Sequence, residues 1–255
     1  MDILQSGILG LVEGVTEFLP ISSTGHLIVV SQWLGMEQTE GNKAFEVIIQ
    51  LAAILAVIAN YKARFTPRHF RLWCQVFVAF LPVAMVGFLF RHQIKALFSV
   101  SVVATMFIVG GIVFLMVERW LKHQSPSVEN LDNLSFKQAL WVGFAQLLAL
   151  IPGTSRAGST IVGALLVGLS RKASAEFSFL LALPVMMAAS GYDLLSNYQE
   201  FAGEQWQPLV FGFVVAFFSA FVVMKLLMAF LEKFTFVAFG WYRILFGVLL
   251  LFLAQ

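Results

Sequence analysis

Apolar residues run in long blocks along this chain, and six blocks read as spanning helices: about 44–61, 72–91, 101–119, 173–195, 208–231 and 236–254. Each approaches the roughly 20 residues that a helix needs to cross a hydrocarbon core about 30 Å thick. Pro82 and Pro184 fall inside two of them, and membrane helices tolerate proline better than soluble ones do. Two further apolar stretches, 3–35 and 137–169, are broken midway by polar residues beside Pro20 and Pro152. As one helix the first would be roughly 50 Å long at 1.5 Å per residue, too long for a single crossing. Proline also disfavours helix at the residue before it and removes a backbone donor. Each broken stretch is therefore either two separate elements or a re-entrant helical hairpin with a polar tip at membrane depth. Such a tip must be buried in protein or line a water-filled cavity.

A hairpin followed by three spans thus occurs twice, over 1–121 and 137–255, with a polar linker of about 122–135 between. An offset of 132 superposes Pro20 on Pro152 and Ser23 on Ser155, and an offset of 130 superposes Glu46 on Glu176. Because three is odd, two re-entrant hairpins enter from opposite faces and meet near the midplane. The predicted fold is an all-α integral membrane protein: six spanning helices plus two re-entrant hairpins in one inverted-topology domain, 1–255.

Composition agrees. The chain is 60% hydrophobic and 12% charged, with a mean hydropathy of +0.87, against about 25% charged residues in soluble domains. Asp2, Gln5, Glu13 and Glu17 interrupt the N-terminal apolar run, so it does not read as a secretory signal. A lone cysteine, Cys74, excludes an intramolecular disulfide and any multi-cysteine metal site. No basic cluster with interleaved aromatics points to nucleic acid.

The distribution of charge predicts orientation. Lys62, Arg64, Arg68, Arg71, Arg119, Lys122, Lys137, Arg171, Lys172 and Lys233 fall on one side. Asp2, Glu37, Glu40, Glu200 and Glu204 fall on the other, with Lys43, Arg91 and Lys95 dissenting. The positive-inside rule then places both termini outside, the first hairpin opening outward and the second inward.

The two breaks carry the candidate chemistry. Glu13 and Glu17 are four apart, on one helix face. A carboxylate in hydrocarbon is costly, so a shared partner is expected, a divalent cation or a proton in transit; headgroup anchoring is the plainer alternative. Ser22-Ser23-Thr24-Gly25 follows Pro20 and opens a helix, where amides and hydroxyls make either an anion cradle or an ordinary N-cap. His26 is a proton shuttle, nucleophile or ligand, or a hydrogen-bonded structural residue. In the second break, Thr154-Ser155-Arg156 repeats the pattern with opposite charge. Arg156 requires an anion, either Glu13 and Glu17 or a bound phosphate. The acids lie in one half and the cation in the other. Glu46 and Glu176 read as braces for the tips. Gln50, Asp193, Lys225 and Arg243 are the other polar residues inside spans, the two cations snorkelling or paired with acids.

These segments resemble the undecaprenyl-diphosphate phosphatase family, also called the bacitracin-resistance proteins. The resemblance lies in Glu-Gly-Val-Thr-Glu-Phe-Leu-Pro-Ile-Ser-Ser-Thr-Gly-His at 13–26, Phe-Glu-Val-Ile-Ile-Gln-Leu at 45–51, Pro-Gly-Thr-Ser-Arg-Ala-Gly-Ser-Thr at 152–160 and Glu-Phe-Ser-Phe-Leu-Leu at 176–181. It implies removal of the terminal phosphate of undecaprenyl diphosphate at the outer side of the bacterial plasma membrane, supported by Mg²⁺ or Ca²⁺. It also implies roles: Glu13 and Glu17 as acid pair and metal ligands, and Ser23 as nucleophile with Thr24 and His26 beside it. Ser155 and Arg156 would hold the diphosphate. Ser22, Gly25, Thr154 and Thr160 complete the expected phosphate-binding set. Where the family commonly has Ser after the arginine, this chain has Ala157. The expected partners are the lipid substrate and membrane lipids, and the resemblance is compatible with a homodimer. A competing class is a polyprenyl-phosphate flippase or secondary transporter, because inverted repeats with midplane hairpins also build transporters.

Overall fold

The computed structural model describes residues 1–36, 39–196 and 206–253. Among these, eleven α-helices follow one another: α1 Ile3–Thr16, α2 Ser23–Trp33, α3 Glu40–Asn60, α4 Phe70–Leu89, α5 Arg91–Ala96, α6 Val100–Leu121, α7 Phe136–Gln146, α8 Arg156–Leu166, α9 Arg171–Ser196, α10 Trp206–Phe230 and α11 Val237–Leu253. The described residues form no strand beyond one isolated bridge, Val128 with Leu169. Glu37, Glu200 and Glu204 lie outside the described residues, as do the side chains of Glu40, Lys43, Lys95 and Asp193.

Among the described residues four helices are long and apolar enough to cross a membrane: Pro67–Leu89, Val100–Leu121, Arg171–Tyr192 and Trp206–Phe230. The blocks at 44–61 and 236–254 give shorter apolar helices, Ala44–Asn60 and Val237–Phe252. Helix α3 as a whole begins at Glu40 and is capped by Thr39, whose hydroxyl accepts from Asn42 N–H at 3.2 Å.

The two broken stretches fold alike. Both open on a capping box, Asp2 with Gln5 in α1 and Ser135 with Gln138 in α7, which satisfies helix-start amides reciprocally. Both end their first helix near the midpoint: α1 has 14 residues, about 21 Å at 1.5 Å per residue. Both then pass through a serine with positive φ, Ser22 at 69° and Ser155 at 73°, into an 11-residue helix. Both leave that helix at a positive-φ glycine, Gly35 and Gly168, the left-handed conformation glycine adopts freely. Every one of these pairs is 133 residues apart, as Ser22 is from Ser155.

The register of 132 is therefore corrected by one residue. Prolines suggested it, yet the helix start follows the strained serine and not the proline. In the observed register Ser23 matches Arg156, Pro20 matches Gly153, and Glu13 matches Gln146.

Packing follows the same symmetry. Helix α1 lies against α10, and α7 against α4. Each crossing is made by glycine: a Cβ on Gly10 would overlap the carbonyl of Gly212, and one on Gly143 the carbonyl of Ala79. Such close approach gains dispersion contacts and is a common solution in lipid, where apolar burial alone drives little association. The remaining halves meet along α6 and α11, and along α3 and α9.

At one end of the bundle the charges pair. Arg64 bonds Glu176 at 2.8 Å and Asp132 at 3.3 Å, Lys172 meets Glu232 at 2.5 Å, and Arg171 is paired with Glu118. Glu176 thus ties the loop after α3 to α9 and does not brace a hairpin tip. The 122–135 segment is more than a linker: Val128, Leu131 and Leu134 are buried in the main apolar core.

Candidate active site

The two breaks come together. Arg243 of α11, fully buried, donates from Nη1 to the carbonyl of Pro20 at 3.0 Å. Its Nη2 donates to the carbonyls of Gly153, at 3.1 Å, and Met106, at 2.9 Å. Pro20 and Gly153 are matched residues of the two breaks, so one guanidinium joins equivalent carbonyls of the two broken stretches. Its carbon lies 5.2 Å from the centre of the Phe107 ring. Arg243 therefore neither snorkels nor pairs with an acid: its partners are carbonyls. Lys225, by contrast, lies over the Phe221 ring at 4.1 Å.

Beside the joined tips is a cavity of about 220 Å³. Glu17, Ser23, Arg156 and Gln146 contribute to its wall, with Ser22 and Thr24 at the start of α2 and Ser155 at the start of α8. Ser23 Oγ donates to Glu17 Oε2 at 2.5 Å. Arg156 Nη2 donates to Glu17 Oε1 at 2.9 Å, and its Nη1 to the Ser178 carbonyl at 2.9 Å. Glu17 is thus held on one oxygen by the guanidinium and offers the other to the serine, while Arg156 Nε has no protein partner. Phe18, fully buried, lies beneath the guanidinium at 5.8 Å.

The helix starts differ. Ser155 caps α8 by accepting from Gly158 N–H at 3.0 Å. Ser22 occupies the cap position of α2 but makes no such bond, so no side chain caps the amides of that first turn. Uncapped amides at a helix start favour an anion.

Other expected residues lie off the cavity wall. His26 is buried with Nδ1 2.7 Å from the Ser22 carbonyl and Nε2 2.6 Å from Tyr242 Oη. A carbonyl only accepts, so Nδ1 carries the proton and Nε2 accepts from the tyrosine when the ring is neutral. Neither nitrogen is directed at Ser23; the ring holds the strained Ser22 junction. Thr160 is fully buried and bonds Ser178 Oγ at 2.6 Å and the Arg156 carbonyl at 2.9 Å, linking α8 to α9 instead of lining the cavity. Gly25 packs on Phe107, with no room for a Cβ. Thr154 is buried with Oγ1 unpartnered, and Ala157 is fully buried in the core.

Glu13, 2% exposed, lies one turn before Glu17, with Oε1 lacking a protein partner and Glu46 adding to the negative field there. An orphaned carboxylate oxygen fits a hard divalent cation that takes its other ligands from phosphate and water. No group of three or more His, Cys, Asp or Glu suited to a metal occurs among the described residues, so the protein's share would be these two carboxylates.

Sequence reasoning left Gln146, Tyr242 and the partners of Arg243 unidentified. Gln146 had one available signal, its place 133 residues from Glu13. No local pattern announces the other two.

The fold and site together define a protein of apolar α-helices whose described residues bring a serine, a carboxylate and a guanidinium into contact beside a buried cavity. Residues 6–249 match the family described as Bacitracin resistance protein BacA, and the chain belongs to that family. It is 60% identical to "Undecaprenyl-diphosphatase 2" of Pseudoalteromonas translucida, over 100% of this chain and 99% of that one. It is 59% identical to the "Undecaprenyl-diphosphatase" of a Sulfurovum species, covering 98% and 99%, and 61% identical to that of Sulfurimonas denitrificans, covering 98% of each. Family membership and the apolar helices make it a multi-pass membrane protein.

Proposed function

We propose that this chain hydrolyses undecaprenyl diphosphate to undecaprenyl phosphate and inorganic phosphate, recycling the carrier lipid for cell-wall synthesis and conferring bacitracin resistance. The curated relatives carry the enzyme's name over the full chain. The observation that carries the mechanism is the hydrogen bond from Ser23 Oγ to Glu17 Oε2, at 2.5 Å.

In the first step Ser23 Oγ attacks the terminal phosphorus and its proton passes to Glu17. The bond from phosphorus to the bridging oxygen breaks, and undecaprenyl phosphate leaves with the electron pair and with the proton that Glu17 returns, which restores the Glu17 carboxylate. Water then attacks the phosphoserine, Glu17 takes up a proton from it, and phosphate departs as Ser23 regains its own. Arg156 orients Glu17 and offers Nε to an equatorial oxygen, while the open amides of α2 receive another. A Mg²⁺ or Ca²⁺ ion on Glu13 and Glu17 would neutralise charge on the diphosphate when bound. His26 acts as a positioning residue for Ser22.

The topology that suits this chemistry has six spans and two re-entrant hairpins in repeats 1–121 and 137–255, with both termini and the site open to the outer face of the bacterial inner membrane. Support comes from half-length helices on either side of each break, and from matched features at one constant spacing. All the residues invoked belong to one chain; a homodimer, proposed from the resemblance, adds nothing to the site.

Transport of the product is the second reading, favoured by tips that meet between matched halves. Phosphate release by Ser23→Ala separates the two. We expect a loss of a thousandfold or more, on the order of the loss of a nucleophile or its base. Near-normal release would reject the serine mechanism, and lipid flux that survives the substitution would favour transport.

A further inference from the structure

Unpartnered buried polar atoms concentrate around the tips. Among the described residues five of eight such atoms belong to Glu13, Gln146, Thr154 and Arg156. Gln146 supplies two of them, because both its Nε2 and its Oε1 lack a protein partner although the side chain is fully buried and forms part of the cavity wall. A buried carboxamide left unsatisfied costs free energy, so a ligand that supplies its partners is the natural explanation.

The chemistry of that ligand follows from position. Gln146 occupies in the second half the place that Glu13 occupies in the first, the last turn of the hairpin's opening helix. The two side chains have nearly the same shape and differ in charge. Glu13 suits a cation. A neutral amide at the matched place, on the half that also supplies Arg156, suits an anion that a second carboxylate would repel. A carboxamide donates and accepts, matching a phosphate group that carries both P–O⁻ and P–OH.

We propose that Gln146 is a substrate-binding residue that donates from Nε2 to a non-bridging phosphate oxygen of the diphosphate and accepts from a P–OH at Oε1. This rests on the phosphatase reading for the identity of the ligand but not for its existence. It assigns the two halves separate tasks: the first holds nucleophile and acids, the second grips the phosphates through Arg156 and Gln146.

Gln146→Leu removes the amide and keeps the volume. Since Gln146 makes no side-chain hydrogen bond within the protein, this change should leave the thermal midpoint in detergent equal to wild type or higher. The KM for undecaprenyl diphosphate should rise about tenfold to a hundredfold with kcat less affected, the size expected for losing a hydrogen bond to a charged group. Gln146→Glu should be worse than Gln146→Leu, because it sets a carboxylate against the phosphates. A readout independent of turnover is thermal stabilisation by methylene diphosphonate, which should be large in wild type and reduced at least tenfold in apparent affinity in Gln146→Leu. If wild type releases no phosphate but this difference in stabilisation is seen, the phosphatase reading fails and the binding site stands. If Gln146→Leu keeps KM and diphosphonate affinity within threefold of wild type, or lowers the melting midpoint with no change in KM, the proposal is overturned.

Discussion

Arg243→Met tests whether one buried guanidinium assembles the site. Arg243 makes three hydrogen bonds to carbonyls, at 3.0, 2.9 and 3.1 Å, two of them on the opposing tips. Leaving a buried acceptor without a donor costs about 1–3 kcal/mol, so the three together cost roughly 3–9 kcal/mol. Removing the buried charge relieves a desolvation penalty of several kcal/mol, which offsets much of this. The net destabilisation should be about 2–4 kcal/mol, toward the lower part of the range for a broken buried charge contact. Methionine fills most of the arginine volume, so little of the loss comes from a cavity. The larger effect falls on turnover. Pro20 lies three residues before Ser23, and Gly153 three before Arg156, so release of either carbonyl lets the Ser23 hydroxyl and the Arg156 guanidinium drift apart. A displacement near 1 Å costs about a hundredfold in rate. Thermal unfolding and phosphate release should both be measured on Arg243→Met in detergent, with Lys225→Met as the control that removes a cation lying over a phenyl ring. Wild-type melting and turnover in Arg243→Met would refute the reasoning.

Three other substitutions probe the frame. Gly14→Val should destabilise by about 3 kcal/mol or more, above the usual cost of overpacking, because its Cβ would meet the backbone of α10, with Ala216 O at 2.5 Å and Ala220 N at 2.8 Å. Gly191→Ala, with nothing within 4 Å of its Cβ, should be neutral or slightly stabilising in the same melting assay. Tyr242→Phe removes the partner of His26 Nε2 and should cost about 1 kcal/mol of stability, with phosphate release within about threefold of wild type. A hundredfold fall in release without a change in melting would instead make the His26–Tyr242 pair a proton relay.

Much of this was legible in the chain. Apolar blocks bounded the helices, and the polar breaks pointed to Glu17, Ser23 and Arg156, which the structure brings into contact. The two charged groups stood out because ionisable side chains are costly in hydrocarbon. The register between halves was read one residue short, since proline is conspicuous in sequence while a positive-φ serine is not. Thr160 and His26 looked like site residues by adjacency. Helical geometry turns Thr160 toward Ser178 and His26 toward Tyr242. Arg243 was visible as a charge in an apolar run, but its partners are backbone carbonyls 223 and 90 residues away, and carbonyls leave no trace in sequence. Gln146 required the corrected register before it could be matched with Glu13.

The central claim is that Glu17 and Ser23 of the first hairpin perform hydrolysis while the second hairpin holds the phosphates. Its most direct test is phosphate release from undecaprenyl diphosphate by purified protein, with Glu17→Gln alongside. Gln keeps the shape and can still accept from Ser23, but it cannot take the proton. The account predicts release by wild type and a loss of about a hundredfold to ten-thousandfold in the variant. Equal release by both proteins would contradict it.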